Sequence, residues 1–206
     1  TYVGYMYGAT GQTTQAATHA NTNDSKLKQA IDTWYESNLK TSYASYLADS
    51  GFCGDRKPLA TNTTAGTGTV TSYYNGYGRV VASRPSLKCL QTNDLYTTSS
   101  ASTGNKALKY PIGMITYDEL IGSGLGQNIN TLAYTFLNLK YWTMSPSTYN
   151  ESNTAAKVYT QYIPGYVNGG NDVTNKNYVR PVINLKSDIE ISGGIGTIND
   201  PYIIKS

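Results

Sequence analysis

One stretch of the chain carries apolar residues at helical spacing. Leu27, Ala30, Ile31, Trp34 and Tyr35 follow the i, i+3, i+4, i+7, i+8 rule. The spacing predicts an amphipathic helix with Leu27, Ile31, Trp34 and Tyr35 on one buried stripe and Lys26, Lys28, Asp32 and Glu36 off it. Asn23 or Asp24 is placed to cap it, because a short acceptor side chain satisfies free amides at a helix start. A second helical piece is expected over residues 42–49, bringing Tyr43, Tyr46 and Leu47 together before Gly51 ends it.

Elsewhere the apolar runs are short and strand-like. They fall at residues 1–8, 110–115, 141–144, 156–160 and 178–185, with a closing strand near 202–204 expected to pair with residues 2–7. Thr116 followed by Glu119 has capping-box spacing and opens a short helix after the 110–115 strand. Between these elements lie polar stretches, read as loops, at 54–78, 91–106, 122–131 and through much of 145–178. No internal repeat and no Pro-rich linker divides the chain, so residues 1–206 are expected to form one domain of the α+β class, small twisted antiparallel sheets with one or two N-terminal helices and long loops.

Composition sharpens this. Charged residues are only 14% of the chain, against about 25% in an ordinary domain. Thr, Ser and Asn together number 63, and 20 residues are Tyr. The surface is therefore expected to be one of hydroxyls, amides and phenols. A net charge of +3 from scattered Lys and Arg gives no basic face for nucleic acid, and no apolar run approaches the length needed to span a bilayer. No charged segment followed by an apolar one marks a signal peptide, and the chain reads as part of a longer polypeptide.

The two cysteines, Cys53 and Cys89, stand 36 residues apart and form no metal-binding pattern. A disulfide is the favoured reading, since both flank polar turns in a charge-poor chain of secreted character, and it implies an oxidising compartment. Two separate buried thiols are the alternative. A reactive thiol is disfavoured because no His neighbours either residue.

The order of motifs carries a resemblance. An early amphipathic helix with Trp34 is followed by Tyr-Pro-Ile-Gly-Met-Ile-Thr-Tyr-Asp-Glu at 110–119, Tyr-Trp-Thr-Met-Ser-Pro at 141–146 and Val-Arg-Pro-Val-Ile-Asn-Leu at 179–185. Over residues 24–186 this resembles a bacterial family of uncharacterised extracellular domains whose signature is a Trp-Leu-Arg-Ser-Pro strand, a short variable strand and a Gly-Val-Arg-Pro-Ala-Leu strand. The family looks like a branch of the C-type-lectin-like fold, akin to sulfatase-modifying-factor and collagen-like-adhesin domains. Phe-Cys-Gly-Asp-Arg at 52–56 and the opening Tyr-Val-Gly-Tyr-Met-Tyr-Gly are similar to a Firmicutes-type surface-protein subgroup, some members of which carry a pilin-like N-terminal helix. Here Thr143-Met144 replaces the family's Leu-Arg, and Tyr178 stands where the family has Gly.

The motif residues read as structural. Trp142 belongs to an apolar strand, and Pro181 suits a strand edge or bulge because it donates no ladder hydrogen bond. Arg180 lies in a strand that otherwise faces inward, so its guanidinium is expected to find a carboxylate, with Asp55, Asp118 or Glu119 as candidates. Catalytic constellations are scarce. His19 is the only histidine, no Ser sits in a nucleophile elbow, and the neighbouring Asp118 and Glu119 read as capping residues rather than a glycosidase pair. No enzyme, cofactor or metal is expected. The calcium-binding Glu-Pro-Asn or Gln-Pro-Asp motifs of sugar-binding C-type lectins are absent, leaving Asn171-Asp172 and Asn199-Asp200 as the nearest oxygen-rich pairs. Asn62 and Asn150 head glycosylation sequons, which read as chance matches in a bacterial chain.

The informative chemistry is the polar surface. Tyr149, Tyr159, Tyr162, Tyr166 and Tyr178 interleave with Asn residues, Asn171 among them. Tyr gives contact area at low entropic cost, while Asn and Ser give adaptable hydrogen bonds. These six are the expected ligand-binding residues, in the 145–178 loops with a possible contribution from 60–78. The resulting expectation is a non-catalytic extracellular surface module, adhesin or pilus-associated, that binds a glycan or a protein. The alternatives are a structural subunit of a surface filament packed against sister subunits and, with least support, a carbohydrate-active enzyme.

Overall fold

The computed structural model describes residues 24–57, 59, 71–82, 84–126, 128–150, 155–163, 165–197 and 199–205. The expected first strand at 2–7, His19 and most of the 60–78 loop, with its Asn62 sequon, lie outside them.

Helix α1 (Lys26–Asn38) forms where the periodicity places it, but its cap is Ser25, whose side chain accepts a hydrogen bond from the Lys28 amide. The buried face also differs from the expected stripe. Leu27, Lys28, Ile31, Asp32 and Tyr35 are buried, whereas Trp34 is 43% exposed. Lys28 enters because Asp24 and Asp32, one turn away on either side, stand 3.2 and 2.7 Å from its ammonium; a buried cation is tolerable when paired. That rotation leaves Trp34 on the helix flank. The second helical piece is a single 3-10 turn, Ala44–Tyr46, which leads into strand β1 (Leu47–Ala48).

The short elements that follow are β2 (Phe52–Cys53), β3 (Thr71–Tyr73), helix α2 (Asn75–Val81), β4 (Leu95–Tyr96), β5 (Ile112–Met114) and helix α3 (Tyr117–Gly122). β3 and the first half of α2 fall inside the stretch expected to be loop, 54–78. Their tyrosines and glycines mask any apolar period, and Tyr74 and Val80 are the large side chains that sink into the core among the residues described there. α3 carries the expected capping box, with Thr116 Oγ1 accepting from the Glu119 amide and the Glu119 carboxylate accepting from the Thr116 amide at 2.7 Å.

The largest correction is at 145–178. The strands expected at 141–144 and 156–160 form but run on into the expected loops as β6 (Tyr141–Asn150) and β7 (Ala155–Tyr162), β8 (Tyr166–Asp172) is a strand where loop was expected, and the three join β3 in an antiparallel four-stranded sheet of order β3-β6-β7-β8. Pro146 disguises β6 in the sequence. It sits where the β6–β7 register shifts, and bulges are where a strand tolerates proline. Both faces of this sheet are covered. Trp142, Met144 and Val158 pack into one apolar cluster with Leu27, Ile31 and Ile112, while Tyr141, Tyr159 and Val167 pack into another with Tyr117, Leu120 and Leu125. Successive residues on a strand point to opposite faces, so the pleat assigns Tyr141 and Trp142 to different clusters.

Strand β9 (Pro181–Leu185) is the centre of a three-stranded antiparallel sheet, β1-β9-β5. Pro181 is its first residue, opposite Met114, a position where a missing donor costs little. The last strands, β10 (Ile191–Gly193) and β11 (Ile203–Ile204), pair with each other. The expected pairing of the closing strand with residues 2–7 falls outside the described residues; among those described, its partner is β10. The class is α+β, mostly small antiparallel sheets with few helices. Cys53 and Cys89 form a disulfide, and among the described residues no helix is long and apolar enough to cross a membrane.

Candidate ligand-binding groove

Around the disulfide, five consecutive residues each make a different anchor. Phe52 enters the core, Cys53 bonds Cys89, and the Gly54 amide donates to the Asp94 carbonyl. Asp55, held at a positive φ of 47°, receives the Arg79 guanidinium. Arg56 donates to Asp94 through both its amide and Nε, at 2.7 and 2.8 Å, and lies 5.1 Å from the Tyr96 ring centroid. Arg79 from α2 also reaches Asp118 on α3 at 2.8 and 2.6 Å, and the Ser86 amide donates to that same carboxylate. Burial pushes the Asp55 carboxyl above its ordinary range despite the arginine, and the two carboxylates hold Arg79 even more firmly protonated than usual. This assembly consumes its own charges. Asp118 and Glu119, the adjacent carboxylates of the chain, are taken up by Arg79 and by the Thr116 cap, on different sides of α3.

Arg180 therefore does not pair with Asp55, Asp118 or Glu119. It donates to the Thr135 carbonyl at 2.8 Å and approaches the Tyr141 hydroxyl at 3.4 Å, while that hydroxyl donates to the same carbonyl. Being half-buried, it is served by a carbonyl, a phenol and a ring face 5.6 Å away instead of a carboxylate.

The expected ligand-binding residues divide. Tyr149 is 1%, Tyr159 3% and Asn171 5% exposed. Tyr159 stacks on Tyr117 with centroids 3.8 Å apart, and Asn171 donates to the Thr160 hydroxyl inside the sheet. These three build the core and offer no surface to a ligand, a consequence of the 145–172 stretch being a covered sheet. Tyr162 and Tyr166 are half-buried and lean on one another at 5.3 Å. Tyr178 is 62% exposed.

Tyr178 lines a groove of about 710 Å³ between α1 and the segment entering β9, within the ordinary range for small-molecule sites. Trp34 and Ile31 line it from the helix, Lys140 from the approach to β6, and Lys176 and Asn177 from the chain beside Tyr178. The Tyr178 wall is fixed by backbone. Its amide donates to the Lys140 carbonyl at 3.0 Å and its carbonyl accepts from the Trp142 amide at 3.1 Å, a parallel bridge to the start of β6. Trp142 itself is buried, so the exposed aromatic rings stand on a packed base.

The polar equipment of the groove is distinctive. Lys140 Nζ lies 4.8 Å from the Tyr162 ring centroid, which ties the groove to the Tyr162–Tyr166 pair, and partial burial pushes the Lys140 ammonium below its usual range. Asn177 Nδ2 is buried with no hydrogen-bond partner among the described residues, and such groups are uncommon in folded proteins. No Asp or Glu lines the groove among the described residues, and none of these residues gathers a cluster of His, Cys, Asp and Glu suited to a metal. Sequence reasoning missed Trp34, Lys140, Lys176 and Asn177 as groove residues. Trp34 occupies a helical apolar position that reads as core, and the others converge only through the bridge between Tyr178 and the start of β6. The chain matches no protein-family model, no curated protein sequence and no solved structure.

Proposed function

We propose that this chain is a non-catalytic extracellular module of a bacterial surface protein, adhesin or pilus-associated, with a C-type-lectin-like fold, and that it binds a glycan in the groove between α1 and the β9 approach. The observation that carries this reading is the pair of exposed aromatic residues, Trp34 and Tyr178, on one groove of ligand size with an amide and two ammonium groups beside them. Aromatic faces take the apolar faces of sugar rings, and convergent polar groups fix orientation. The Cys53–Cys89 disulfide supports an oxidising compartment. The test is a glycan microarray probed with the parent and with Trp34→Ala and Tyr178→Ala. Each substitution is expected to weaken binding roughly tenfold; undiminished binding by both variants excludes the groove.

One observation favours the second reading, a filament subunit. The β10–β11 hairpin exposes Ile191, Ile195, Tyr202 and Ile203, each more than half accessible, and an isolated two-stranded hairpin is marginal in water. Concentration-dependent self-association that is abolished by Ile191→Ser with Ile203→Ser, in a protein that binds no glycan, would favour that reading.

A further inference from the structure

The groove does not end at its own lining. In the β6–β7 ladder Tyr141 stands opposite Gln161, so Lys140, one residue earlier, falls opposite Tyr162, and its Nζ lies 4.8 Å from the Tyr162 ring centroid. Tyr162 is in turn the register partner of Tyr166 on β8, and the two rings stand 5.3 Å apart, tilted by 51°. Residues opposed across a ladder project from the same face, so Lys140, Tyr162 and Tyr166 make one row across β6, β7 and β8. Alternate residues along a strand also share a face, which puts Lys140 on the side of Trp142, whose apolar cluster includes Leu27 and Ile31 of α1. The row therefore lies on the side of the sheet that α1 covers. Lys140 belongs both to it and to the groove that Trp34 lines, and Tyr162 and Tyr166 are half-buried, each with part of its surface in water.

We propose that the site takes an unbranched oligosaccharide, one sugar ring lying against Trp34 in the groove and the following units running past Lys140 onto the ledge formed by Tyr162 and Tyr166. The inference rests on the glycan reading and adds the length of the ligand to it. Neighbouring strands lie about 4.8 Å apart, so the row from Lys140 to Tyr166 crosses roughly 10 Å, and the groove extends the run at the Trp34 end. One sugar ring does not fill that run, whereas a chain of linked rings does. Aromatic rings set along it offer apolar faces to successive units, and a Tyr ring gives large contact area at low entropic cost. Lys140 stands between the two aromatic ends. Its ammonium donates hydrogen bonds and accepts none, which suits the hydroxyl and ring oxygens of the unit that links the groove to the ledge. Ring faces and a hydrogen-bond donor are the chemistry of a neutral sugar chain.

The experiment is titration calorimetry of the full chain with cello-, malto-, laminari- and chito-oligosaccharides, each as a series from the disaccharide to the hexasaccharide. The parent, Tyr166→Ala, Tyr166→Phe, the double variant Tyr162→Ala with Tyr166→Ala, and Trp34→Ala are compared after thermal melts establish that each is folded. The expected result is one series that binds the parent about tenfold more tightly as the tetrasaccharide than as the disaccharide and levels off beyond it. That gain should shrink in Tyr166→Ala, survive in Tyr166→Phe and vanish in the double variant, which keeps the parent's affinity for the disaccharide, while Trp34→Ala weakens every length. Affinity that does not rise with length in the parent overturns the extended site, whatever the variants do, and leaves the glycan reading standing. A gain with length that the double variant retains in full overturns it as well. No binding to these series or to the glycan array overturns both. Self-association by sedimentation that Trp34→Ala abolishes, without sugar binding, overturns both in favour of a second copy of the chain as the occupant.

Discussion

Two regions of this protein use charge in opposite ways. Around the disulfide, Asp55, Arg56, Arg79, Asp94 and Asp118 are drawn out of water and satisfied by one another. Along the groove, Lys140 and Lys176 line a surface with no carboxylate among the described residues. The first arrangement does for structure what a larger apolar core does elsewhere. β2 and β4 contribute only two residues each, too short to hold a loop-rich region by ladder bonds alone, and side-chain charges pin the loops to α2 and α3. In the second, Lys140 stands over the Tyr162 ring, 4.8 Å from its centroid, rather than against an anion. The carboxylate-matched charges of the first region belong to the scaffold.

The comparison breaks most visibly at Arg79. Replacing it with Ala strands two carboxylates that are 10% and 4% exposed, and removing one partner of a buried ion pair costs about 3–5 kcal/mol. Urea unfolding of Arg79→Ala is expected to show a loss of that order. A loss below about 1 kcal/mol, the scale of exposed pairs, would mean that the disulfide region does not depend on its charges. Next in size is the crosslink itself. The cysteines are 36 residues apart, and in the chain-entropy model closing such a loop stabilises by roughly 3–4 kcal/mol. Cys53→Ser with Cys89→Ser should therefore lower the unfolding midpoint strongly while leaving any binding at the groove between α1 and the β9 approach within twofold. A collapse of binding in a still-folded variant would show that the two regions are coupled.

The sequence made one half of this contrast partly legible and hid the other. α1, the capping box at Thr116 and Glu119, the apolar strand cores and the cysteine pair all follow from local rules, since periodicity, cap chemistry and parity are written in neighbouring residues. The tyrosines were harder. A phenol suits a buried stack such as Tyr117–Tyr159 as well as a wet surface such as Tyr178, and a strand built from Ser145, Pro146, Ser147 and Thr148 carries no apolar alternation to announce it. Trp34 was hidden by the opposite error, an apolar residue at a core-like spacing that a buried Lys28 displaces to the flank. Which arginine meets which aspartate is a matter of contacts dozens of residues apart, and no spacing rule reaches that far.

A smaller effect sharpens the account of the charged cluster. Desolvation raises the Asp55 carboxyl above its ordinary value, with Arg79 opposing it and Asp118 and Asp94 adding to it. A carboxyl whose folded pKa lies above its unfolded one binds more protons in the folded state, so its contribution is complete below the unfolded pKa and declines as pH rises through the folded one. Asp55→Asn removes that titration. The stability of the variant relative to the parent should therefore improve as pH goes from about 3.5 to 7. The opposite slope in paired urea melts would mean that Arg79 outweighs burial at this site.

The smallest expected effect is at Lys140, and it tests the other half of the contrast. Its ammonium is pushed below the usual lysine range by desolvation alone, so the folded state holds that proton less tightly than the unfolded chain does. For a base shifted downward, folding is disfavoured by the charge at neutral pH, and the penalty fades as pH rises through the lysine range. Lys140→Met keeps the apolar stem over Tyr162 and discards the charge. It should melt at or slightly above the parent temperature at pH 7, with the difference shrinking toward about pH 10.5. Arg79→Ala should do the reverse and lose stability. A clear drop in the melting temperature of Lys140→Met at pH 7 would place Lys140 with the scaffold charges.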